Sequence, residues 1–261
     1  MKRVVAIGDM HCGFNGGLTP PEWWYPMDTG THFDFFAHQQ RIMWNWYKDT
    51  LESLMPIDIL LVNGDCIDGR GERSGGTELI TTDRMVQCAM ATRCILEAKG
   101  RKIVMTYGTP YHCGQLEDWE TIIAKDVRAE KIGGHEWVTA EGEGVTFDLK
   151  HKIGTSNAPA GRMTASAQQS LWNDLWHLRK AQPMAQVVLR SHAHYFVHCG
   201  DYRKLSMVLP ALCGFGSKFG VRECSGTVDM GLISFDCEDG RFDWTQHIIP
   251  PYLVAPKALE L

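Results

Sequence analysis

RVVAIGDMH, residues 3–11, is an apolar run that stops at Gly8 and delivers Asp9 and His11 within three residues. The run predicts a strand over Arg3–Ile7. The two-residue spacing of Asp9 and His11 points both side chains to one face beyond its end. The ending recurs twice. A second predicted strand, Ile57–Val62, runs into Asn63-Gly64-Asp65-Cys66-Ile67-Asp68, and a third, Lys102–Tyr107, into Gly108-Thr109-Pro110-Tyr111-His112. Helical patterns lie between them. His32–Leu54 repeats apolar residues at Phe33, Phe36, Met43, Tyr47, Leu51 and Leu54 and is stopped by Pro56; Thr82–Lys99 ends at Gly100, read as a C-cap glycine; Leu116–Glu130 precedes Gly133 and Gly134. Strand and helix alternating in this way predict a mainly parallel sheet, with ligands gathered beyond the carboxyl ends of its strands.

The second half reads as a hairpin over Trp137–Ile153, a helix over Ala165–Ala181 stopped by Pro183, and a buried strand at Gln186–Leu189. Strands follow at Lys204–Leu209, Met230–Phe235 and, after the Glu238-Asp239-Gly240 turn, Phe242–Ile249. No repeat, low-complexity tract or linker interrupts the chain, so residues 1–261 are expected to form one domain with an aromatic-rich insertion at about 18–50.

Composition narrows the function. A hydrophobic fraction of 44% with 22% charged residues excludes disordered, collagenous and coiled-coil chains. Against 26 Lys and Arg stand 31 Asp and Glu, a net charge of −5. With a pI near 6.1 this argues against coating nucleic acid electrostatically, although bound metal ions can supply positive charge to a phosphate substrate. No stretch reaches the ~18 apolar residues of a membrane span. Val4–Ile7 is too short for a secretory apolar region. Nine cysteines without a CxxC pair suit a reducing compartment, so a cytoplasmic location is expected.

Two more strand ends carry imidazoles: His151, closing Asp148-Leu149-Lys150-His151, and His192 and His194 in Ser191-His192-Ala193-His194. Acids and imidazoles delivered at five strand ends suit a borderline divalent metal, and a parallel sheet collects such ends in one place. The ordered series Gly8-Asp9-x-His11, Gly64-Asp65-x-x-Asp68, Gly108 to His112, His151 and His192-x-His194 resembles the calcineurin-like metallophosphoesterase superfamily. His151-Lys152-Ile153-Gly154, the Trp-rich helix and Ser191 to Tyr195 further resemble a branch common in bacteriophages and prophages, for which the location would be the host cytoplasm.

The resemblance implies a four-layer α/β/β/α sandwich with mixed sheets and two divalent metals, Mn²⁺ foremost, with Fe, Zn²⁺ or Ni²⁺ as alternatives. By position, Asp9, His11 and His194 would hold one metal, His151 and His192 the other, and Asp65 would bridge them. The third motif departs from the family's Gly-Asn-His. Thr109 stands where the Asn ligand would be, leaving its hydroxyl, a water or a carbonyl as a weaker ligand, and His112, the implied proton donor to the leaving group, arrives two residues late. Asp68 would orient a ligand, or is a plain turn carboxylate. Arg70 and Arg73 are phosphate clamps or solvated loop residues.

The implied activity is hydrolysis of phosphodiester bonds by a metal-bridging hydroxide, as a nuclease or nucleotide phosphodiesterase acting on DNA or a nucleotide. Phosphomonoesterase or protein phosphatase activity, or a catalytically weak metal-binding interaction module, are the alternatives. Trp23, Trp24 and Tyr25 stack on a nucleobase or pack beneath a lid or at a subunit contact. Cys12, Cys66 and Cys113, each beside a motif residue, are read as small buried residues in preference to soft ligands or redox-sensitive thiols. Oligomeric state is left open.

Overall fold

β1 (Lys2–Ile7), β2 (Ile59–Asn63) and β3 (Lys102–Thr106) send alternate side chains to opposite faces, and each face meets its own core. Val5, Ile7, Leu60, Val62, Ile103 and Met105 pack in one buried cluster. Val4, Ala6, Ile59, Leu61 and Val104 belong to another. Burial on both sides explains why these strands read as unbroken apolar runs. The computed structural model describes residues 1–114, 116–156, 158–214 and 228–254, and of Arg73 the backbone alone.

The first cluster lies beneath α1 (Phe33–Ser53), α2 (Arg84–Glu97) and α4 (Trp119–Asp126), which contribute Trp44, Tyr47 and Leu51, Cys94 and Ile95, and Ile123. The second is shared between two sheets. In one, β4 (Lys131–Gly133) extends the parallel set β1-β2-β3, while β10 (Gly231–Glu238) and β11 (Arg241–Ile248) add antiparallel on the other side of β1. The other sheet has the order β5 (Glu136–Ala140), β6 (Val145–Leu149), β7 (Val187–Arg190), β9 (Leu205–Val208), β8 (Val197–Gly200). Its β6-β7 and β7-β9 pairs are parallel and its outer pairs antiparallel. Phe147 of β6 and Phe235 of β10 meet edge to face across the inter-sheet core at 5.1 Å between centroids. α5 (Pro159–Leu178) covers the outer face of the second sheet over β7, β8 and β9. The result is an α/β/β/α arrangement of two mixed sheets, and within the first sheet the parallel order expected from the alternation holds for β1 to β4.

Local chemistry moves several boundaries. Lys99, with φ 48°, and not Gly100, takes the left-handed conformation after α2. α4 begins at Trp119 because Leu116 and Glu117 lie in an exposed bend before the N-cap Asp118. α5 starts six residues earlier than its apolar periodicity suggests, with Pro159 in its first turn where a missing N–H costs nothing. β4, β8 and the four-residue α3 (Pro110–Cys113) carry no periodic signal of their own. Among the described residues no helix is long and apolar enough to cross a membrane.

A buried polar network ties α5 to its sheet. Arg190, 2% exposed, donates to the Asp148 carboxylate at 2.7 Å. Asp148 also accepts from Asn173 of α5 at 2.9 Å and lies 2.9 Å from His135 Nε2. Burial pushes the Asp148 carboxyl up, but His135 and Arg190 outweigh it and hold the group at about 2. Asp148→Asn is expected to destabilise the fold by ~3–5 kcal/mol at neutral pH, because it leaves Arg190 buried without its counter-charge. Stability contributed by the lowered carboxyl is present above its unfolded value of ~3.9 and disappears as the pH falls through that of the folded group. In urea titrations at descending pH, the gap between wild type and variant should therefore narrow in this acid window.

Candidate metal centre

Five of the six carboxylate and imidazole side chains anticipated as metal ligands sit on backbone that side chains rarely adopt. Asp9 (φ 49°), His11 (45°), Asp65 (49°), His192 (74°) and His194 (57°) are all left-handed. Non-glycine residues in this region cost of order 1–3 kcal/mol each and persist where the surroundings over-determine them. Those surroundings are hydrogen-bonded loop ends. Asp9 N–H donates to the Gly64 carbonyl, His11 N–H to that of Asp65, and Ser191 N–H to that of His151. The turns thus continue the register of the strands and bring the side chains inward.

Asp9, His11 and His194 form one group of potential ligands, Asp65, His151 and His192 a second, and His11, Asp65 and His112 a third; within each, the donor atoms lie within 4.8 Å of one another. His11 Nε2 and His194 Nε2 are 3.0 Å apart, and Asp9 Oδ1 is 3.4 Å from His194 Nε2 and 3.9 Å from His11 Nε2. In the second group His151 Nε2 is 3.0 Å from Asp65 Oδ2. Asp9 joins the groups: His151 Nε2 is 3.9 Å from its Oδ1, and its Oδ2 accepts the His192 N–H at 3.0 Å. Two donors each ~2.1 Å from a common ion lie at most ~4.2 Å apart, so these separations suit shared cations.

The imidazole tautomers agree with that role. His151 Nδ1–H donates to the Asn63 carbonyl at 2.7 Å and His11 Nδ1–H to the Asp68 carboxylate at 3.0 Å, which directs both Nε2 lone pairs into the cluster. His151 Nε2 is buried without a hydrogen-bond partner. An orphaned, buried imidazole nitrogen beside two carboxylates is a donor suited to a cation. Without an ion the same groups hold each other's charge. Burial raises the Asp65 carboxyl, yet His151 and the neighbouring imidazoles bring it below the ordinary carboxylate range. Burial likewise opposes protonation of His151, and Asp65 and Asp9 override it.

Each remaining anticipated residue has a definite place. Asp68 supports two rings: its carboxylate accepts from His11, and its backbone carbonyl accepts His112 Nδ1–H at 2.9 Å. His112 meets His11 edge to face at 4.5 Å, and burial, then the nearby His11, lowers its pKa. Thr109 donates its N–H to Asp65 Oδ1 at 2.7 Å, and its hydroxyl lies 3.2 and 3.3 Å from the two Asp65 oxygens. Gly108 permits this approach, since a Cβ there would fall 2.1 Å from Asp65 Oδ1. Arg70 is exposed on the loop after Asp68, and no described contact joins it to the cluster; the Arg73 side chain lies outside the described residues.

The aromatic loop packs against its own fold. Trp23 and Trp24 lie against the helix-side core, Trp24 Nε1–H donates to the Thr19 carbonyl beneath Arg41, and the Tyr25 hydroxyl donates to Asn15. Cys12, Cys66 and Cys113 are buried, and burial raises all three thiols, so none has the character of a reactive thiolate.

Two buried residues organise the centre without having been singled out from sequence. Glu120, fully buried in α4, accepts the Cys66 N–H at 2.8 Å and the Gly108 N–H at 2.7 Å, and so clamps the loops bearing Asp65 and Thr109. Asn63 accepts from Thr106 at 2.7 Å and donates to Ser191 at 2.8 Å, joining the ends of β2, β3 and β7. Asn63 stands inside the quoted second motif and could have been flagged there. Glu120 is indistinguishable by spacing from Glu117 three residues before it.

No protein-family model matches the chain, and no curated protein sequence does. Solved structures do. An archaeal phosphodiesterase is 11% identical over 94% of this chain and 99% of its own, with a TM-score of 0.46. Zn²⁺-complexed wild-type Vps29 from Entamoeba histolytica is 11% identical over 94% and 98%, with a TM-score of 0.45. A predicted phosphoesterase from Streptococcus pneumoniae is 10% identical over 94% and 98%, with a TM-score of 0.37. At these values the likeness transfers neither activity nor residue roles.

Asp68→Ala removes the partner of His11 Nδ1 while leaving every atom of the ligand groups in place. It is expected to weaken Mn²⁺ binding, read by titration calorimetry, by ~10–100-fold. Glu120→Ala leaves the buried Cys66 N–H and the partly buried Gly108 N–H without their acceptor and should lower stability by ~1–3 kcal/mol or more in denaturant unfolding.

Proposed function

We propose that this chain is a metal-dependent phosphoesterase that cleaves phosphodiesters. The observation that carries the reading is the overlap of ligand groups: Asp9, His11 and His194 beside Asp65, His151 and His192, with the Asp9 and Asp65 carboxylates between them. Asp9, His11 and His194 would hold one divalent cation, His151 and His192 a second, and Asp65 would serve both; nitrogen and oxygen donors of this kind suit Mn²⁺, Fe, Zn²⁺ or Ni²⁺, with Mn²⁺ our first choice. Bound there, the cations would supply Lewis acidity, polarising a phosphoryl oxygen and lowering the pKa of a coordinated water.

The chain's own contribution is positioning. Asp65 is fixed by the Thr109 N–H and hydroxyl, so the carboxylate does not reorganise as charge develops on a substrate. Asp68 holds His11 by its carboxylate and His112 by its carbonyl. With its proton on Nδ1, His112 shares the third group with His11 and Asp65, and we assign it to the leaving-group oxygen as a proton donor after protonation. The preference for diesters, with DNA or a nucleotide as substrate, follows from the sequence resemblance.

One observation favours a second reading, a metal-binding module with feeble catalysis. The Thr109 hydroxyl lies against Asp65, where the resembled family has an amide ligand, which leaves the second group with three donors. Hydrolysis assays separate the two. Chelator-stripped protein reloaded with Mn²⁺ should hydrolyse bis-p-nitrophenyl phosphate faster than p-nitrophenyl phosphate, and Asp65→Asn should abolish turnover. No metal-dependent turnover of either ester would favour the module. For the enzyme, His112→Ala should cost ~10²–10⁴-fold with an alkoxide leaving group and little with p-nitrophenolate, which needs no proton.

A further inference from the structure

α5 is amphipathic in the inverted sense. Its buried positions are Ser166 and Asn173. Ser166 bonds Ser206, and Asn173 bonds Asp148, the Pro183 carbonyl, the Ala185 N–H and Lys204, so the face against the sheet is polar and its partners are in place. From residue 171 onward the outward face is mostly apolar. Leu171, Trp172, Leu175, Trp176 and Leu178 are 57, 53, 39, 39 and 76% exposed. Leu171 and Leu175, and Trp172 and Trp176, are spaced four apart and form two adjoining rows. Arg179 lies over the Trp176 ring at 5.4 Å at the rim, and Asp174 is turned away from the patch in an ion pair with Lys204.

These five side chains leave on the order of 600 Å² of apolar surface in water, the upper end of what a monomer's largest patch carries. Folding does not require them outside, since the polar inner face already fastens the helix. We propose that two copies of this chain pair through the outward face of α5 about a two-fold axis. Two such patches would bury roughly 1,200 Å², the threshold of a stable interface. A two-fold contact sets each patch against itself. The patch suits that arrangement because its five central side chains carry no charge, so protomers of net charge −5 meet there without like charges opposed. Ridges formed by the 171/175 and 172/176 rows are also the units by which helices interlock.

Sedimentation velocity of the full chain at micromolar concentrations tests this. Wild type should sediment with twice the monomer mass. The exposed-face double variant Trp172→Glu, Trp176→Glu should be monomeric with its helical circular dichroism retained, a rise in the dimer dissociation constant of at least ~10²-fold. Leu96→Glu, at an equally exposed apolar position on α2, should remain dimeric. Leu175→Lys provides a milder second probe of the same face and should weaken the dimer ~10-fold or more. A wild type that is monomeric throughout the range would overturn the proposal, as would a dimer that Leu175→Lys and the double variant leave unchanged.

Discussion

Asp65 carries a charge in a place where water cannot solvate it, and much of the surrounding structure follows from that. The residue is 1% exposed, and its carboxylate is met by the Thr109 N–H and hydroxyl on one side and by His151 on the other. A buried carboxylate persists only when such partners compensate its desolvation. Those partners come from two different strand ends, so the loops after β2 and β3 and the turn after β6 must be in register before the charge is tolerable. Gly108 has no Cβ because Asp65 occupies that space, and Glu120 neutralises the two backbone N–H groups that the loops would otherwise leave unpaired.

The same demand explains the backbone strain. A parallel strand delivers side chains alternately up and down, and one that ends at a shared cleft must turn sharply to aim them inward. Left-handed conformations at Asp9, His11, Asp65, His192 and His194 achieve this turn at an energetic cost that the paired sheets and their two cores absorb. Charge and strain are concentrated together at these strand ends, while residues 4–7 of β1, 59–62 of β2 and 103–105 of β3 are apolar.

α5 shows a different division of labour. Beneath it, Asp148, Arg190, Asn173 and Lys204 form a network in which each buried charge has a counter-charge. Such a network specifies one docking geometry for the helix more sharply than an apolar contact would, and it releases the apolar residues of α5 to the outside. The Trp-rich stripe of α5 therefore faces away from the sheet.

The strands and their endings were legible in the sequence because a strand buried on both faces is a continuous apolar run, and because carboxylates and imidazoles directly after such a run have few local reasons to be there. Six ligand-type residues, Asp68 and His112 could all be named from that pattern. Sequence periodicity could not place α5, since an amphipathic pattern does not say which face meets the sheet. Nor could it find Glu120, whose neighbours Cys66 and Gly108 lie far from it along the chain. It also left open what serves in place of an amide ligand at Thr109, and whether Trp23, Trp24 and Tyr25 stack on a nucleobase or pack. The sequence by itself determined which chemical groups stand at the ends of which strands, since that depends on local order along the chain. Only the tertiary structure decided which of those groups meet, because contact across 40 to 180 residues is set by sheet order and register, which no local pattern encodes.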